Sequence, residues 1–391
     1  MKLLILFVLL IGLIIPRHGM AQISGAIDLT GPGARAEGLG GAFTGVADDA
    51  TAIMWNPAGL TQLEKPEVSF VVRQVFLGLK YADDGIDNKL NHFAFNFVSA
   101  AYPLNFGNQK LTIAVAYQQL LDLYYIDRDY INNLGVGDQK GSIYTITPGI
   151  AYKVTSTLSL GASANIWTGS SKIRYQPSDF GWKDNWKGFN LQVGAMADLS
   201  GLEKGIPFKV GVTLKTPFKM DDKYNFTNAP DKYNWKWEFP TILSFGASYR
   251  IGEYLTIAAD YEIEQFGKAK ILNKDDNVKY DFSDSKKDLM PIRVGAEYLI
   301  VTSGAVIPIR AGFKTTPTLL ADMNYDFLND QYVFSKKQVT GTAFSVGSGL
   351  IYKMFAMDVA YTIGTFQRKF EGASTEKFSK GKLSFSTIFY F

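Results

Sequence analysis

The chain contains no cysteine and two histidines among 391 residues. Without cysteine there is no disulfide framework and no thiolate metal site. His18 lies in an N-terminal segment that reads as a removable export signal, which leaves His92. That residue has no Ser or Asp partner at a recognisable spacing, so the sequence gives no sign of a nucleophilic or acid–base catalytic site. Long apolar runs are also missing: after residue 21 no stretch offers the ~18 uncharged apolar residues of a spanning helix. Neither charge sign dominates, with 40 basic against 37 acidic residues and a net charge of +3. The lack of a basic block excludes a nucleic-acid partner on electrostatic grounds. No cofactor is implied, and the chain is not expected to be an enzyme.

What is present points to export and then to a membrane. Residues 1–21 read as a signal peptide: Lys2 supplies the positive start, Leu3 to Ile15 the apolar stretch, and Gly19 and Ala21 the small residues before a cleavage site at Gln22. Leu3 to Ile15 is too short to cross a ~30 Å hydrocarbon core as a helix. Aromatic residues make up 14% of the chain, with 21 Tyr and 28 Phe. Mean hydropathy is −0.01, as expected where lipid-facing and lumen-facing residues alternate along strands.

That alternation is plain from Glu67 onward. Leu255, Ile257, Ala259, Tyr261 and Ile263 share one parity, and Thr256, Asp260, Glu262 and Glu264 the other. Phe355, Met357, Val359, Tyr361 and Ile363 likewise oppose Asp358, Thr362 and Gly364. About fourteen such segments of membrane-spanning length follow one another, joined by short and long connections in turn, as in outer-membrane barrels. The charged faces must point inward, since Lys or Arg at the bilayer midplane costs about 2–4 kcal/mol on the outer face. The last segment, Leu383 to Phe391, ends on an aromatic residue like the sorting signal read by the barrel assembly machinery. It is expected to pair with the first strand, because no open sheet edge persists in lipid. The fold class predicted is all-β: a transmembrane antiparallel β-barrel of about 14 strands over 67–391, in the bacterial outer membrane.

Residues 22–66 fit no strand series. Seven glycines between Gly25 and Gly45 suit a compact irregular segment packed against a wall, and an N-terminal hatch or plug inside the lumen is the economical placement. GLGGAFTG lacks the preceding strand and following βαβ unit of a dinucleotide loop. Asp48 and Asp49 lack the further ligands of a metal site. In Asn56-Pro57-Ala58, Pro57 fixes φ and Asn56 can cap nearby amides, the makings of a turn.

Gly33 to Leu60, GARAEGLGGAFTGVADDATAIMWNPAGL, resembles the N-terminal hatch of the FadL/TodX family of outer-membrane transporters for hydrophobic compounds. LKTPFK at Leu214, FPTILSFGASYRI at Phe239, AADYE at Ala258, PIRVGAEY at Pro291 and PIRAGFKTTP at Pro308 follow in the same order. The resemblance implies a fourteen-stranded barrel with an internal hatch, and passive uptake of long-chain fatty acids or hydrocarbons by loop capture, lumen binding and lateral exit. It assigns Asn56, Pro57 and Ala58 to a lateral gate beside the third strand. That strand candidate, Lys110 to Leu121, contains no Gly or Pro to announce a kink.

Ligand capture is expected from aromatic residues in the long connections: Phe180, Trp182, Trp186, Trp235 and Trp237. A ligand carboxylate would need an inward cation, for which Arg250, Arg293, Arg310 and Lys314 have the right parity. Partners are thus a hydrophobic small molecule and outer-membrane lipid, with the barrel acting as a monomer. The alternative is a PorV/PorQ-like shuttle of type IX protein secretion, since such barrels resemble the same hatch pattern.

Overall fold

The computed structural model describes residues 29, 31–81, 86–107, 109–127, 135–177, 181–202, 205–227, 232–275, 277–326, 331–369 and 375–391. The expected signal peptide and Phe180 lie outside these. The first strands are β1 (Glu67–Tyr81), β2 (Ile86–Phe106), β3 (Gln109–Asp122), β4 (Tyr125–Asp127), β5 (Gly135–Lys153), β6 (Leu158–Pro177) and β7 (Gly181–Asp198). The middle of the chain forms β8 (Phe208–Lys215), β9 (Phe218–Phe226), β10 (Lys232–Phe239), β11 (Ile242–Ile251), β12 (Leu255–Glu264), β13 (Lys270–Asn273) and β14 (Val278–Asp281). The chain closes with β15 (Ile292–Val301), β16 (Val306–Asp326), β17 (Gln331–Tyr352), β18 (Phe355–Lys369) and β19 (Thr375–Tyr390).

These segments make a closed antiparallel barrel of fourteen staves. β8 and β9 both pair with β7 and form one stave, broken at Thr216-Pro217. β10 and β11 form the next, broken opposite at Pro240-Thr241. Proline has no N–H to give to a ladder, so pairing stops there on both strands. β4 and the β13–β14 hairpin are additions to connections. Closure is complete along the seam of β19 and β1, from Glu67 opposite Tyr390 to Tyr81 opposite Glu376. Every stave therefore has two neighbours, which the hydrocarbon region demands. Among the described residues no helix is long and apolar enough to cross a membrane.

The alternation read from sequence is the alternation of faces. On β17, Ala343 and Ser345 are 3% exposed, whereas Phe344 and Val346 are 60% exposed. The exposed row is apolar and suits lipid; the buried row is small or polar and faces inward.

The barrel's interior is occupied. Between Gly31 and Leu63 every residue is buried except Arg35, Asp48 and Gln62, which are partly so. This segment has little regular structure: α1 (Ala34–Gly38), α2 (Ala52–Trp55) and a 3₁₀ turn at Pro57–Gln62. Gly40 and Gly41 hold φ of 68° and 80°, a left-handed bend that residues with a Cβ adopt at a cost. Phe43, Ile53, Leu60 and Leu63 are fully buried within it, together with Phe97 of β2.

One expectation needs correction. The long connections are mostly strand, not loop: β6 and β7 run on to Pro177 and from Gly181, and β9 and β10 fill most of 218–239. The reason is that period-2 patterning continues through polar sequence. Trp235, Trp237 and Phe239 share one parity, and cross-strand aromatic pairs stabilise a ladder without a lipid face.

Candidate functional site

The N-terminal segment is seated on a belt of inward glycines. Gly161 faces Gly194 across β6 and β7, Gly211 faces Gly246 across β8 and β11, and Gly295 faces Gly312 across β15 and β16. A Cβ at Gly161 would overlap the Pro57 and Ala58 backbone, and one at Gly194 the Asn56 side chain. Gly295 and Gly312 lie equally close to the backbone of Leu39 and Gly40. A glycine at mid-strand on the inward parity marks such an approach, a signal that the sequence itself carries.

Asn56 is fully buried and connects three places. Its Oδ1 accepts from Ala58 N at 3.2 Å, capping the 3₁₀ turn, while Nδ2 donates to Thr44 O and to Ala195 O of β7, each at 3.1 Å. Asn56, Pro57 and Ala58 thus lie against β6, β7 and β8, and the 3₁₀ turn that they open packs on β5, β6 and β7 and also reaches β3. The resemblance had placed them beside the third strand.

Charged side chains fix the other side of the segment. Arg35 binds Asp48 at 2.5 Å and Glu297 of β15 at 3.0 Å. Glu297 also accepts from Arg310 of β16 at 2.6 Å, and Arg310 reaches Asp358 of β18 at 2.6 Å. Glu37 meets Arg73 at 2.5 Å and Lys382 at 3.3 Å, and accepts from the Ser384 hydroxyl at 2.5 Å. Asp260 accepts from the backbone N–H of Phe43 and Thr44 at 3.0 and 2.8 Å. Arg293 is bound by Glu262 at 2.7 Å.

Arg293 and Arg310 are therefore engaged by protein carboxylates, and a ligand carboxylate would have to displace a buried pair. Arg250 shares their parity but lies exposed at the end of β11, beside the Gly252 turn. Lys314 lines a narrow cavity with Glu37, Trp55, Ser345 and Lys382. Asp49 accepts from the amide and hydroxyl of Thr51 at 2.8 and 2.5 Å. Burial pushes its carboxyl up to about 6 against the opposing pull of Arg35.

Away from this segment a second apolar cluster fills the lumen. Trp167 stacks on Phe218 at 4.9 Å, and Phe218 on Phe239 at 4.9 Å. Phe239 meets Phe282 at 5.6 Å, and Phe266 meets Phe282 at 5.1 Å. Trp186 and Trp237 belong to it, edge to face at 5.3 Å, with Trp235 packed alongside. Trp182 stands nearby against Tyr224 at 5.3 Å. The four described tryptophans expected in capture loops are thus on strands and turned inward. Trp167, Phe218, Phe239, Phe266 and Phe282 join them unanticipated.

Among the described residues the β16–β17 ladder is irregular around Pro317 to Met323, and a second weak seam lies between β2 and β3. Their ladder runs from Phe106 opposite Gln109 to Phe97 opposite Gln118 and stops, although β2 continues back to Ile86. Each flank carries a bulge at that height. Asn96 is the extra residue of β2 against Val71–Val72, and Leu120 is the extra residue of β3 against β5. A bulge bends its strand and ends regular pairing without Gly or Pro. Side chains take over where the ladder stops: Asn96 Nδ2 donates to Gln119 O at 3.1 Å, and His92 Nε2 lies 2.5 Å from Asp122 Oδ2. Leu120, Leu121 and Leu123 at this seam belong to the same apolar cluster as Trp237 and Phe282.

With this geometry described, comparison adds relatives. The model of the outer membrane protein transport family (OMPP1/FadL/TodX) matches residues 21–227. A FadL homologue of Pseudomonas aeruginosa superposes with a TM-score of 0.68 at 13% identity, covering 94% of this chain and 100% of its own. The toluene transporter TbuX of Ralstonia pickettii gives 0.63 at 15%, covering 93% and 99%. The toluene transporter TodX of Pseudomonas putida gives 0.61 at 14%, covering 93% and 99%. No curated protein matches the sequence. The secretion-shuttle alternative gains no support from these matches.

Proposed function

Because the chain belongs to the outer membrane protein transport family (OMPP1/FadL/TodX), we infer that it is an outer-membrane channel for passive uptake of hydrophobic small molecules, with long-chain fatty acids and hydrocarbons as the substrate class. It works without a cofactor and as a monomer. The ligand enters the aromatic cluster around Trp186 and Trp237, and the residue 33–63 segment acts as the hatch below it. The ligand then leaves sideways between β2 and β3 into the membrane. Asn56, Pro57 and Ala58 hold the hatch to β6, β7 and β8 and so keep one side of the path in place.

The observation that carries this reading is the seam. A ladder that stops while both flanking strands bulge, with an apolar cluster running to the gap, favours an opening toward lipid. Energetics favour the same route. An acyl chain gains about 0.8 kcal/mol per CH₂ on leaving water, so a wall opening delivers it downhill, whereas an aqueous pore does not.

The test uses the absence of native cysteine. Asn96→Cys with Gln119→Cys, joined by a short bis-maleimide, ties the two strands together. Uptake of a labelled fatty acid and of a labelled hydrocarbon by cells lacking their own transporter should fall at least several-fold on cross-linking and stay near the parent value in the uncross-linked variant. Full uptake with the cross-link complete would exclude exit at this seam.

A further inference from the structure

The lumen cluster contains a polar site that hydrophobic transport does not need. On β7 and β9, Trp186 is the cross-strand partner of Asp222, and Asp184 the partner of Tyr224. All four have inward parity, which makes Asp184 and Asp222 diagonal neighbours on one face, within about 7–8 Å. The two carboxylates are 5% and 3% exposed. Asp184 accepts from the Ser171 hydroxyl at 2.6 Å, and one oxygen of Asp222 accepts from Trp237 Nε1 at 3.3 Å. Among the described residues the other oxygen of Asp222 has no partner, and neither does the Tyr224 hydroxyl or Trp186 Nε1, although all are buried.

Such groups are costly. A buried carboxylate is stable when paired or coordinated, and a buried polar atom without a partner forfeits its hydration. Among the described residues no cation pairs with either acid. The lysines of the same strands, Lys183, Lys187, Lys219 and Lys223, alternate to the opposite face and are exposed. The surroundings are instead aromatic: Trp237 lies edge to face with Trp186, and Trp182 lies against Tyr224. Two carboxylates among indole and phenol rings are the elements that hold an organic cation, by charge and by cation–π attraction.

We propose that this site selects amphiphiles carrying a cationic nitrogen head, an alkylammonium class, with the apolar tail lying on the Trp167–Phe218–Phe239 stack. The proposal rests on the transport reading and changes its substrate order, placing cationic amphiphiles ahead of fatty acids at this site. The head group meets the open oxygen of Asp222 and the faces of Trp186 and Trp237, and the Tyr224 hydroxyl accepts from an N–H where the head has one. Trp186 Nε1 is left for a water or a hydroxyl on the ligand. Carboxylate ligands are disfavoured here, because they bring a third negative charge to the two acids.

Three twelve-carbon probes separate the possibilities: dodecyltrimethylammonium, dodecanoate and dodecanol, titrated into the full-length protein in non-ionic detergent with tryptophan fluorescence as the readout. The expected result is dodecyltrimethylammonium binding at least about tenfold tighter than dodecanoate. In Asp184→Asn/Asp222→Asn that ratio should collapse toward one while dodecanol binds as before. Should the double variant fail to fold, Asp184→Asn and Asp222→Asn singly should each lower the ratio. A ratio of one or less in the parent, or a ratio unchanged in the variants, overturns the proposal while dodecanol binding upholds transport. Binding of none of the three overturns the transport reading and this proposal with it.

Discussion

At the scale of the residue, the most informative positions carry no side chain. Gly161, Gly194, Gly211, Gly246, Gly295 and Gly312 cost conformational entropy in strands and pack nothing of their own. Their worth is the space they leave for Pro57, Asn56, Thr44, Leu39 and Gly40. Gly161→Val should keep the barrel, since the change lies on one inward face and valine favours strands. It should also push the Asn-Pro-Ala turn off β6. The expected outcome is normal heat-modifiable migration together with faster protease cleavage between residues 33 and 63; unchanged cleavage would show that the turn tolerates displacement. The ion pairs at this scale were half legible. Inward arginines and inward acids could be read from parity, but which acid each arginine takes could not. Glu297 shared by Arg35 and Arg310 joins positions 262 residues apart and strands next to one another.

At the scale of the element, the N-terminal segment is held in two ways. Asp260, Glu297, Ser384 and Ser386 bind it by hydrogen bonds and ion pairs, with Ala34 N donating to Ser386 Oγ at 2.6 Å, and Phe43, Ile53, Leu60 and Leu63 share one apolar cluster with Val71, Phe97 and Met196 of the wall. Asp49 makes its attachment depend on pH. The carboxyl's pKa rises from 3.8 to about 6 in the folded chain, so the folded state binds more protons than the unfolded one between those values. Stability from this group is therefore greatest below about 4, falls as pH rises toward 6, and is level above it; the full difference is about 3 kcal/mol. The protection factors of residues 43–55, the exchange rate of the unstructured chain divided by that of the folded one at the same pH, should be higher at pH 5 than at pH 8. Asp49→Asn should flatten that difference and raise protection at pH 8. An equal pH dependence in parent and variant would assign the effect to another group. The third strand illustrates the opposite limit. Its bulge at Leu120 has no sequence signature, because adjacent leucines fit a regular strand as well as an irregular one, and only pairing with β5 reveals the extra residue.

At the scale of the whole molecule, the barrel and its contents are separable in physical terms. The fourteen staves are held by a closed set of backbone ladders and by lipid, and the internal segment by the side chains of those staves. Deleting residues 33–63 leaves Arg310 with Glu297 and Asp358, and Arg293 with Glu262, so most inward charges keep a partner. The shortened chain should fold into the outer membrane with reduced thermal stability. In planar bilayers it should conduct ions steadily where the full chain does not. A full-length chain already conducting at the level of the deletion would remove the hatch from the account.

The sequence by itself determined the barrel, its strand count, its faces and its closure. Period-2 alternation is a local property, and lipid permits one answer to it: inward polar, outward apolar, with no free edge. The same locality explains where sequence reading ended. Tryptophans expected in loops proved to lie on inward strand extensions, because parity in polar sequence distinguishes faces but not how far pairing continues. The seam beside β3, the union of Asp184, Asp222 and Tyr224 with two indoles, and the seating of Asn56 on β7 were decided by tertiary structure. Each depends on the register between strands, and a shift of one residue would turn every one of those side chains to the opposite face.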